Sequence, residues 1–241
     1  MNAVPMDRES SSSAAVLEPA SGAEVTAIRA SGFVPRPRRG PGSYDRSLSA
    51  AARHEEQRLT LIDAAAHIFA RYGYANAAVA SILDASGLSR GTFYRHFGDI
   101  EAALSAVQEN AGDVLLARLS TAVRRHAEPE VQLRAGIRAY LEHCAERGDL
   151  ARVFHREAIA ASEPHSAYRR QCVAVVQRAL RAALASAVSG GLILSMPDDA
   201  TIIGVMTAIE GVALRYLSDH RESELIDALD SLHRLAVRAL T

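Results

Sequence analysis

Residues 79–99 constrain the fold more than any other part of the sequence. The segment from Val79 to Ser86 places its apolar side chains on one side, and Gly87 then supplies the left-handed backbone position of a tight turn. Ser89 is a good N-cap for a second short helix, because its hydroxyl accepts a hydrogen bond from a free backbone amide one turn on. The pattern therefore predicts two short helices joined by a glycine turn. In a helix-turn-helix, this arrangement places the second helix in the major groove of DNA.

The sequence around this turn resembles the N-terminal signature of the TetR family over about residues 58–104. Residues 61–66 (Leu-Ile-Asp-Ala-Ala-Ala) and 69–74 (Phe-Ala-Arg-Tyr-Gly-Tyr) resemble its first helix, and residues 87–97 resemble its turn and recognition helix. The resemblance implies an all-α protein of about nine helices. It implies an N-terminal three-helix DNA-binding domain, followed by a C-terminal helical domain that binds a ligand and dimerises.

Composition divides the chain into three parts. Residues 1–50 are rich in Ser, Ala, Pro and Gly and lack a sustained apolar period, which predicts a disordered arm. The basic stretch 35–42 within it is either a solvated tail or an arm that reaches into a minor groove. Residues 53–98 form the predicted helix-turn-helix domain. Helical spacing continues through residues 99–241, the part to which the resemblance assigns effector binding and dimerisation.

Charge alone does not indicate nucleic-acid binding. The chain has a formal net charge of −1, and residues 53–100 contain five arginines and five acidic residues. All 27 basic residues are Arg, whose rigid planar fork suits guanine edges and phosphates. We give the motif more weight than the net charge, because a neutral total can conceal a basic face.

Composition also bears on location and redox state. About half of the residues are apolar and aromatic residues are few, which favours helices over a β-rich core. No apolar run approaches the roughly 18 residues of a membrane span, and the N-terminus lacks the apolar core of a signal peptide. We therefore expect a cytoplasmic protein without a membrane partner. Cys144 and Cys172 suit a reducing compartment and are expected to be inert buried thiols.

Polar residues crowd the start of the predicted recognition helix, where base edges are normally reached. Arg90 is expected to bind a guanine through O6 and N7, Gly91 to allow close approach, and Thr92 to contact a thymine methyl or a phosphate. The resemblance implies phosphate contacts for Tyr94 and His96. The complete set predicted to bind double-stranded operator DNA is Ser89, Arg90, Gly91, Thr92, Tyr94, Arg95 and His96.

Three positions depart from the family pattern. Leu83 stands where helix-turn-helix packing usually has a small residue, and Ala78 replaces the hydroxyl residue that usually caps the second helix. Ile100 replaces the Lys that usually follows Asp99. The last two changes each remove an expected phosphate contact, so they affect the expected affinity for DNA more than the fold.

The segment 198–220 is apolar on two sides, and such a helix must bury both. Either it lies wholly inside a monomer, or one side packs on a second copy. We favour a homodimer through residues 198–240, with a four-helix bundle across a twofold axis. Gly204 and Gly211 would allow two helices to approach closely. Glu210 interrupts one apolar stripe and is interpreted as a satisfied polar group of the interface.

The resemblance places a small-molecule effector in the C-terminal domain, where pockets form between helices. The candidates lie on the predicted helices five to seven, and each alone is more typical of core or surface than of a ligand contact. His155 and Glu157 are two residues apart, so they do not share a helix face and make a poor metal pair. The candidate effector residues are Tyr140, His143, Cys144, Phe154, His155, Glu157 and Tyr168.

These features predict a ligand-responsive, sequence-specific transcriptional regulator, a repressor that a small molecule releases from its operator. No Ser-His-Asp spacing, Gly-rich phosphate loop or metal cluster is recognisable, so no catalytic residue, metal or cofactor is expected. Two alternatives remain: a helical ligand-binding protein without a DNA function, and an enzyme with a His as its base. Salt-sensitive, sequence-specific duplex binding separates the first interpretation from both alternatives, and turnover of a ligand separates the alternatives from each other.

Overall fold

The computed structural model describes residues 49–157 and 163–241, and all regular secondary structure within these ranges is helical. Three shorter helical segments lie between the α-helices: a 3₁₀ turn, Tyr74–Asn76, a π-helical turn, Val153–Glu157, and a 3₁₀ segment, Glu222–Ala228. The nine α-helices of the described residues are α1 Ala50–Tyr72, α2 Val79–Ser86, α3 Arg90–His96, α4 Ile100–Val123, α5 Pro129–Glu146, α6 Gly148–Arg152, α7 Glu163–Ser189, α8 Asp199–Ser218 and α9 Leu229–Leu240. The predicted all-α class is confirmed.

The predicted arm, residues 1–50, lies outside the described residues up to position 48. Its last two positions already belong to the helical domain. The Ser49 hydroxyl accepts a hydrogen bond from the Ala52 amide at 3.1 Å and caps α1, which begins at Ala50.

Side-chain hydrogen bonds cap α3, α4 and α8, and a glycine turn precedes α3. Ser89, Asp99 and Asp198 each accept a hydrogen bond from the backbone amide three residues on, at 3.1, 2.7 and 2.7 Å. Gly87 adopts the left-handed conformation that the turn between α2 and α3 requires, with φ 68° and ψ 17°. Ala78 provides no side-chain cap for α2. The departure noted in the sequence therefore leaves the N-terminus of α2 without a side-chain hydrogen bond.

The C-terminal helix begins later than its pattern predicted. A single helix was expected from about Glu222 to Leu240, but its first two turns are the 3₁₀ segment and α9 starts at Leu229. A 3₁₀ helix rises more per residue than an α-helix. This lets Leu225 reach the core while Glu222 stays against Arg152 of α6.

Two hydrophobic clusters hold the helices together. In the first, α1, α2 and α3 pack around Phe69 and Phe93, and the cluster continues into α4 and the π-helical turn, which contributes Phe154. The second joins α5 and the end of α7 to α8 and α9, with Leu217 almost fully buried. Tyr140 packs against both clusters. The domain boundary at residues 98 and 99 stays a prediction, and the first cluster crosses it.

Two helices have extensive apolar surface. Ala167–Ser189 and Asp199–Ser218 are long and apolar enough to cross a membrane by length and composition alone, which the sequence analysis did not anticipate. Only 17% and 22% of their most apolar windows are buried. Because helices of soluble proteins pass the same test, this is weak evidence for a membrane span. Many apolar side chains of α7 and α8 are only partly buried, and Val175 and Ile203 are exposed.

Candidate DNA-binding surface and effector site

Helix α3 has a buried side and an exposed side. Phe93 and Phe97 are buried in the first hydrophobic cluster, as their spacing predicted, and they fix the helix on the domain. The opposite side of α3 carries no acidic residue, so this face is positively charged although the domain is neutral. The exposed residues of α3 are Arg90, Gly91, Tyr94 and Arg95.

Three of the five acidic residues of the domain have partners outside α3. Asp63 on α1 binds Arg147, at the end of α5, at 2.8 Å. Asp99 caps α4, and Glu55 lies 3.9 Å from Arg58 on the same helix. The charge balance of the domain therefore conceals a basic recognition face.

Gly91 is not required by the fold. A Cβ built at this position would meet only the Ser89 Oγ, at 3.9 Å, and the backbone does not adopt a positive φ. The missing side chain therefore leaves space on the outer face, where a base edge or phosphate could approach. Beside it, the guanidinium carbon of Arg90 lies 5.8 Å from the centre of the Tyr94 ring, a cation–π arrangement that keeps both side chains on this face.

Three predicted contact residues also hold α3 in place. The Ser89 and Thr92 hydroxyls lie 2.9 Å apart, and Thr92 is buried, so this pair closes the first turn of the helix. The imidazole of His96 packs on His54 of α1, with ring centres 4.1 Å apart, and both of its nitrogens are buried. Burial, followed by the charges of His54 and Arg95, lowers the pKa of His96. The DNA contacts expected of Thr92 and His96 stay predictions, and in this conformation Thr92 is buried while His96 is partly buried.

A largely buried polar cluster joins four elements of the C-terminal part. It consists of Tyr140 on α5, His155 in the π-helical turn, Arg169 on α7 and Glu210 on α8, and we call it the polar quartet. The Tyr140 hydroxyl lies 3.1 Å from Nε2 of His155, and Nδ1 of His155 lies 2.9 Å from Oε1 of Glu210. Arg169 donates to the same carboxylate oxygen.

Hydrogen bonding indicates the protonation states within the polar quartet. Burial opposes ionisation of Glu210, but the hydrogen bonds and charges of His155 and Arg169 outweigh it and lower the pKa of the carboxyl. The ionised carboxylate only accepts, so Nδ1 of His155 donates to it. Burial raises the pKa of Tyr140 well above its usual value, so its hydroxyl keeps its proton and can donate to Nε2 of His155.

Two other predicted effector residues adjoin the polar quartet. Cys144 is buried beside Tyr140, and burial raises the pKa of its thiol to about 12. Phe154 is buried with its ring centre 5.2 Å from that of His155. Cys172 is also buried, and burial raises the pKa of its thiol. The cysteines are therefore buried thiols, as predicted, because a reactive cysteine needs exposure and a lowered pKa.

The remaining candidates do not join the polar quartet. The Tyr168 hydroxyl donates to Asp113 Oδ1 on α4, at 3.0 Å, and its ring lies over Gly112. His143 is buried, and burial lowers its pKa to about 4, so it is a neutral core residue. The side chain of Glu157 lies outside the described residues. Among the described residues, no three His, Cys, Asp or Glu side chains are grouped to hold a metal ion.

Sequence reasoning missed Arg169 and placed Glu210 in the dimer interface. Glu210 is satisfied, as expected, but by His155 and Arg169 of its own chain. The available signal was that Glu210 is the only acidic residue of α8 beyond its first turn, and a partly buried charge needs a partner. The partners lie 55 and 41 residues away along the chain, and no local pattern connects them.

Comparison with known proteins gives one sequence match and several structural ones. Residues 61–107 match the model for bacterial regulatory proteins of the tetR family. No curated protein matches the chain. The fatty acid degradation regulator FadR from Bacillus halodurans has a similar structure, with 19% identity and a TM-score of 0.67 over 75% of this chain and 94% of that chain.

Two further solved structures show the same fold. One is FadR from Bacillus subtilis in complex with stearoyl-CoA, with 20% identity and a TM-score of 0.66 over 76% of this chain and 99% of that chain. The other is a tetR-family regulatory protein from Rhodococcus RHA1, with 21% identity and a TM-score of 0.66 over 77% and 97% of the two chains.

The structural matches extend over a larger part of the molecule than the sequence match does. The matched residues contain α2, the glycine turn, the Ser89 cap and α3, which together form the helix-turn-helix. The similar structures extend over about three quarters of the chain, well beyond that motif. The chain therefore carries the DNA-binding domain of bacterial regulatory proteins of the tetR family at residues 61–107, within a fold that it shares with the compared structures.

Proposed function

We propose that this ligand-responsive, DNA-binding regulator is a homodimeric repressor that a small-molecule effector releases from its operator. The observation that carries the proposal is the outer face of α3. It is capped by Ser89, anchored by Phe93, and presents two arginines, a tyrosine and a glycine without an acidic neighbour on the helix. A ligand-binding protein without a DNA function, or an enzyme, would give this face no role.

On DNA, Arg90 would read a guanine, and Tyr94 and Arg95 would contact the backbone on either side. Capture of genomic fragments by the purified protein tests this assignment. The wild type should enrich a small set of fragments, and the triple variant Arg90→Ala/Tyr94→Ala/Arg95→Ala should enrich none. Arg138→Ala is the matched control, because it removes an exposed arginine of α5 outside the recognition helix. Equal enrichment by the wild type and the triple variant would exclude α3 as the DNA-binding element.

The outer face of α8 supports the homodimer. Ile203 is 48% exposed, and a Cβ added to Gly204 or Gly211 would meet no atom within 4 Å. Glycine lowers the stability of a helix by about 1 kcal/mol relative to alanine, and no contact among the described residues requires a glycine at either position. On α9, Leu235 is also largely exposed. These faces fit the proposal that α8 and α9 pack against their copies across a twofold axis.

Light scattering of the purified protein tests the dimer. Ile203→Arg places a charge at the centre of the proposed interface, where an unpaired buried charge costs about 3–5 kcal/mol, so the variant should be monomeric. Tyr94→Arg is the control, because Tyr94 is an exposed side chain of α3, outside α8 and α9. A monomeric wild type, or a folded Ile203→Arg variant that stays dimeric, would contradict this interface.

Contacts between α1 and α6 support a coupling route in addition to the covalent link through α4. Nδ1 of His67 on α1 lies 2.9 Å from Asp149 on α6. On the same short helix, Arg152 donates to the Leu217 carbonyl at the end of α8, at 2.6 Å. A ligand that shifts α8 would therefore displace α6 and, through His67, the DNA-binding domain. The size of the response would equal the difference in ligand affinity between the two conformations.

A further inference from the structure

We propose that the polar quartet binds the carboxylate of an organic acid effector, and that Glu210 is a built-in competitor for that position. The inference rests on the proposed function, because it names the chemical class of the effector. In the structure described here, the Glu210 carboxylate occupies the place that the ligand carboxylate would take.

The donors around Glu210 outnumber the hydrogen bonds that they make. His155 Nδ1 and an Arg169 terminal nitrogen both donate to Oε1 of Glu210. The Nε of Arg169 is buried and has no hydrogen-bond partner. A buried donor without an acceptor is unfavourable. A carboxylate that approached Arg169 with both oxygens would satisfy it in the bidentate geometry that guanidinium groups favour.

The polar quartet is buried at His155 and accessible to solvent at Arg169 and Glu210. The side chain of His155 is only 5% exposed, and its Nε2 is held by Tyr140. The side chains of Arg169 and Glu210 are 20% and 26% exposed, so solvent reaches the ion pair. His155 also sits in a π-helical turn, a distortion that is common at functional sites. A ligand would therefore enter at Arg169 and displace Glu210, while Tyr140 and His155 keep their positions.

An internal competitor has a measurable consequence. The apparent affinity for a ligand is reduced by the fraction of time that the site is free of Glu210. Removal of the Glu210 carboxylate should therefore increase the affinity for an external acid, whereas loss of a merely structural ion pair would leave no binding site. Displacement would also free the side chain of Glu210 on α8, the helix that the proposed function assigns to the dimer.

Acetate is the probe for this site, with methyl phosphate as the second anion. Calorimetric titration at pH 7 should show acetate binding to Glu210→Ala at least tenfold more tightly than to the wild type. Acetate should also raise the unfolding temperature of this variant more than chloride does at the same ionic strength. Methyl phosphate should bind more weakly, and a preference for it would mean that the site recognises phosphate. Glu210→Ala/Arg169→Met should bind neither anion.

Three results would overturn the proposal. The first is an acetate affinity of Glu210→Ala no higher than that of the wild type. The second is a rise in unfolding temperature with acetate no larger than with chloride, and the third is unchanged acetate binding in Glu210→Ala/Arg169→Met. If Glu210→Ala does not fold, Glu210→Gln replaces it, because it keeps the volume and removes the charge. Anion binding is measured without DNA, and DNA binding of the wild type is measured without an added acid. The carboxylate site and the DNA-binding function are therefore tested independently of each other. Acetate should then change the DNA affinity of Glu210→Ala, and an unchanged affinity would exclude an effector role.

Discussion

Gly112 on α4 is the position where we expect one added methyl group to be most disruptive. A Cβ there would lie 2.8 Å from both Cε1 and the hydroxyl oxygen of Tyr168, and 2.9 Å from Sγ of Cys172. These distances are too short for van der Waals contact. The Tyr168 ring cannot simply turn away, because its hydroxyl is shared between the Glu109 carbonyl, at 3.1 Å, and Asp113 Oδ1, at 3.0 Å.

Two effects oppose each other in Gly112→Ala. Replacement of glycine by alanine inside a helix should stabilise it by about 1 kcal/mol. Overpacking of a tight contact costs about 1–3 kcal/mol, and displacement of Tyr168 weakens a hydrogen bond worth about 0.5–1.5 kcal/mol. The clash should outweigh the gain, and we expect a net loss of about 0.5–3.5 kcal/mol in the free energy of unfolding.

Urea unfolding at one fixed protein concentration measures this loss, because the stability of a dimer depends on concentration. Gly136→Ala on α5 is the matched control, since its Cβ would meet only Cγ2 of Val123, at 3.5 Å, and should stabilise the protein by up to about 1 kcal/mol. In a Tyr168→Ala background, Gly112→Ala should lose the part of its cost that comes from Tyr168, while the close approach to Cys172 remains. If Gly112→Ala stabilises the protein as much as Gly136→Ala does, α4 and α7 do not approach as closely as the structure shows.

Three further predictions concern DNA binding and pH. Arg90→Ala should cost about 1–3 kcal/mol of operator affinity and relax selection at one position per half-site, whereas unchanged base preferences would reduce Arg90 to a phosphate contact. Ile100→Lys should steepen the slope of log DNA affinity against log salt concentration by roughly 0.9. It should also lower the stability of the protein, because Ile100 packs on the first hydrophobic cluster. An unchanged slope would place α4 away from the DNA backbone. Burial lowers the pKa of His143 from 6.5 to about 4, so the unfolded chain takes up its proton first. The contribution of neutral His143 to the free energy of unfolding should be fully present above about pH 6.5 and should fall by up to about 3 kcal/mol as the pH drops towards 4. Urea unfolding at several pH values measures this dependence, and His143→Gln should reduce it.

Local chemistry was predictable from the sequence, and long-range pairing was not. The Gly87 turn and the Ser89 cap each depend on a few neighbouring residues, so their positions followed directly from the pattern. The role of His96 did not, because α1 extends back to Ala50, ahead of the family signature, and brings His54 against the imidazole. Hydrophobic spacing predicted the C-terminal helix, but could not show that its first turns tighten into a 3₁₀ segment.

The effector region shows the same limit. Tyr140 and His155 were among the candidates because of their chemistry, and the structure places them together. Arg169 carried no local signal that distinguished it from the other arginines of α7, and its partner Glu210 lies on a different helix. The sequence shows that a charge on an apolar helix needs a partner, but tertiary packing decides which one it finds.

Selection of bound duplexes from a random pool tests the central claim most directly. A dimer that presents α3 from each protomer should enrich sites made of two half-sites related by a twofold axis, with their centres about one helical turn of DNA apart or a multiple of it. The Arg90→Ala variant should enrich the same symmetry with one position per half-site relaxed. A wild-type pool that shows no sequence enrichment, or enriched sites without twofold symmetry, would contradict a dimeric regulator that reads DNA through α3.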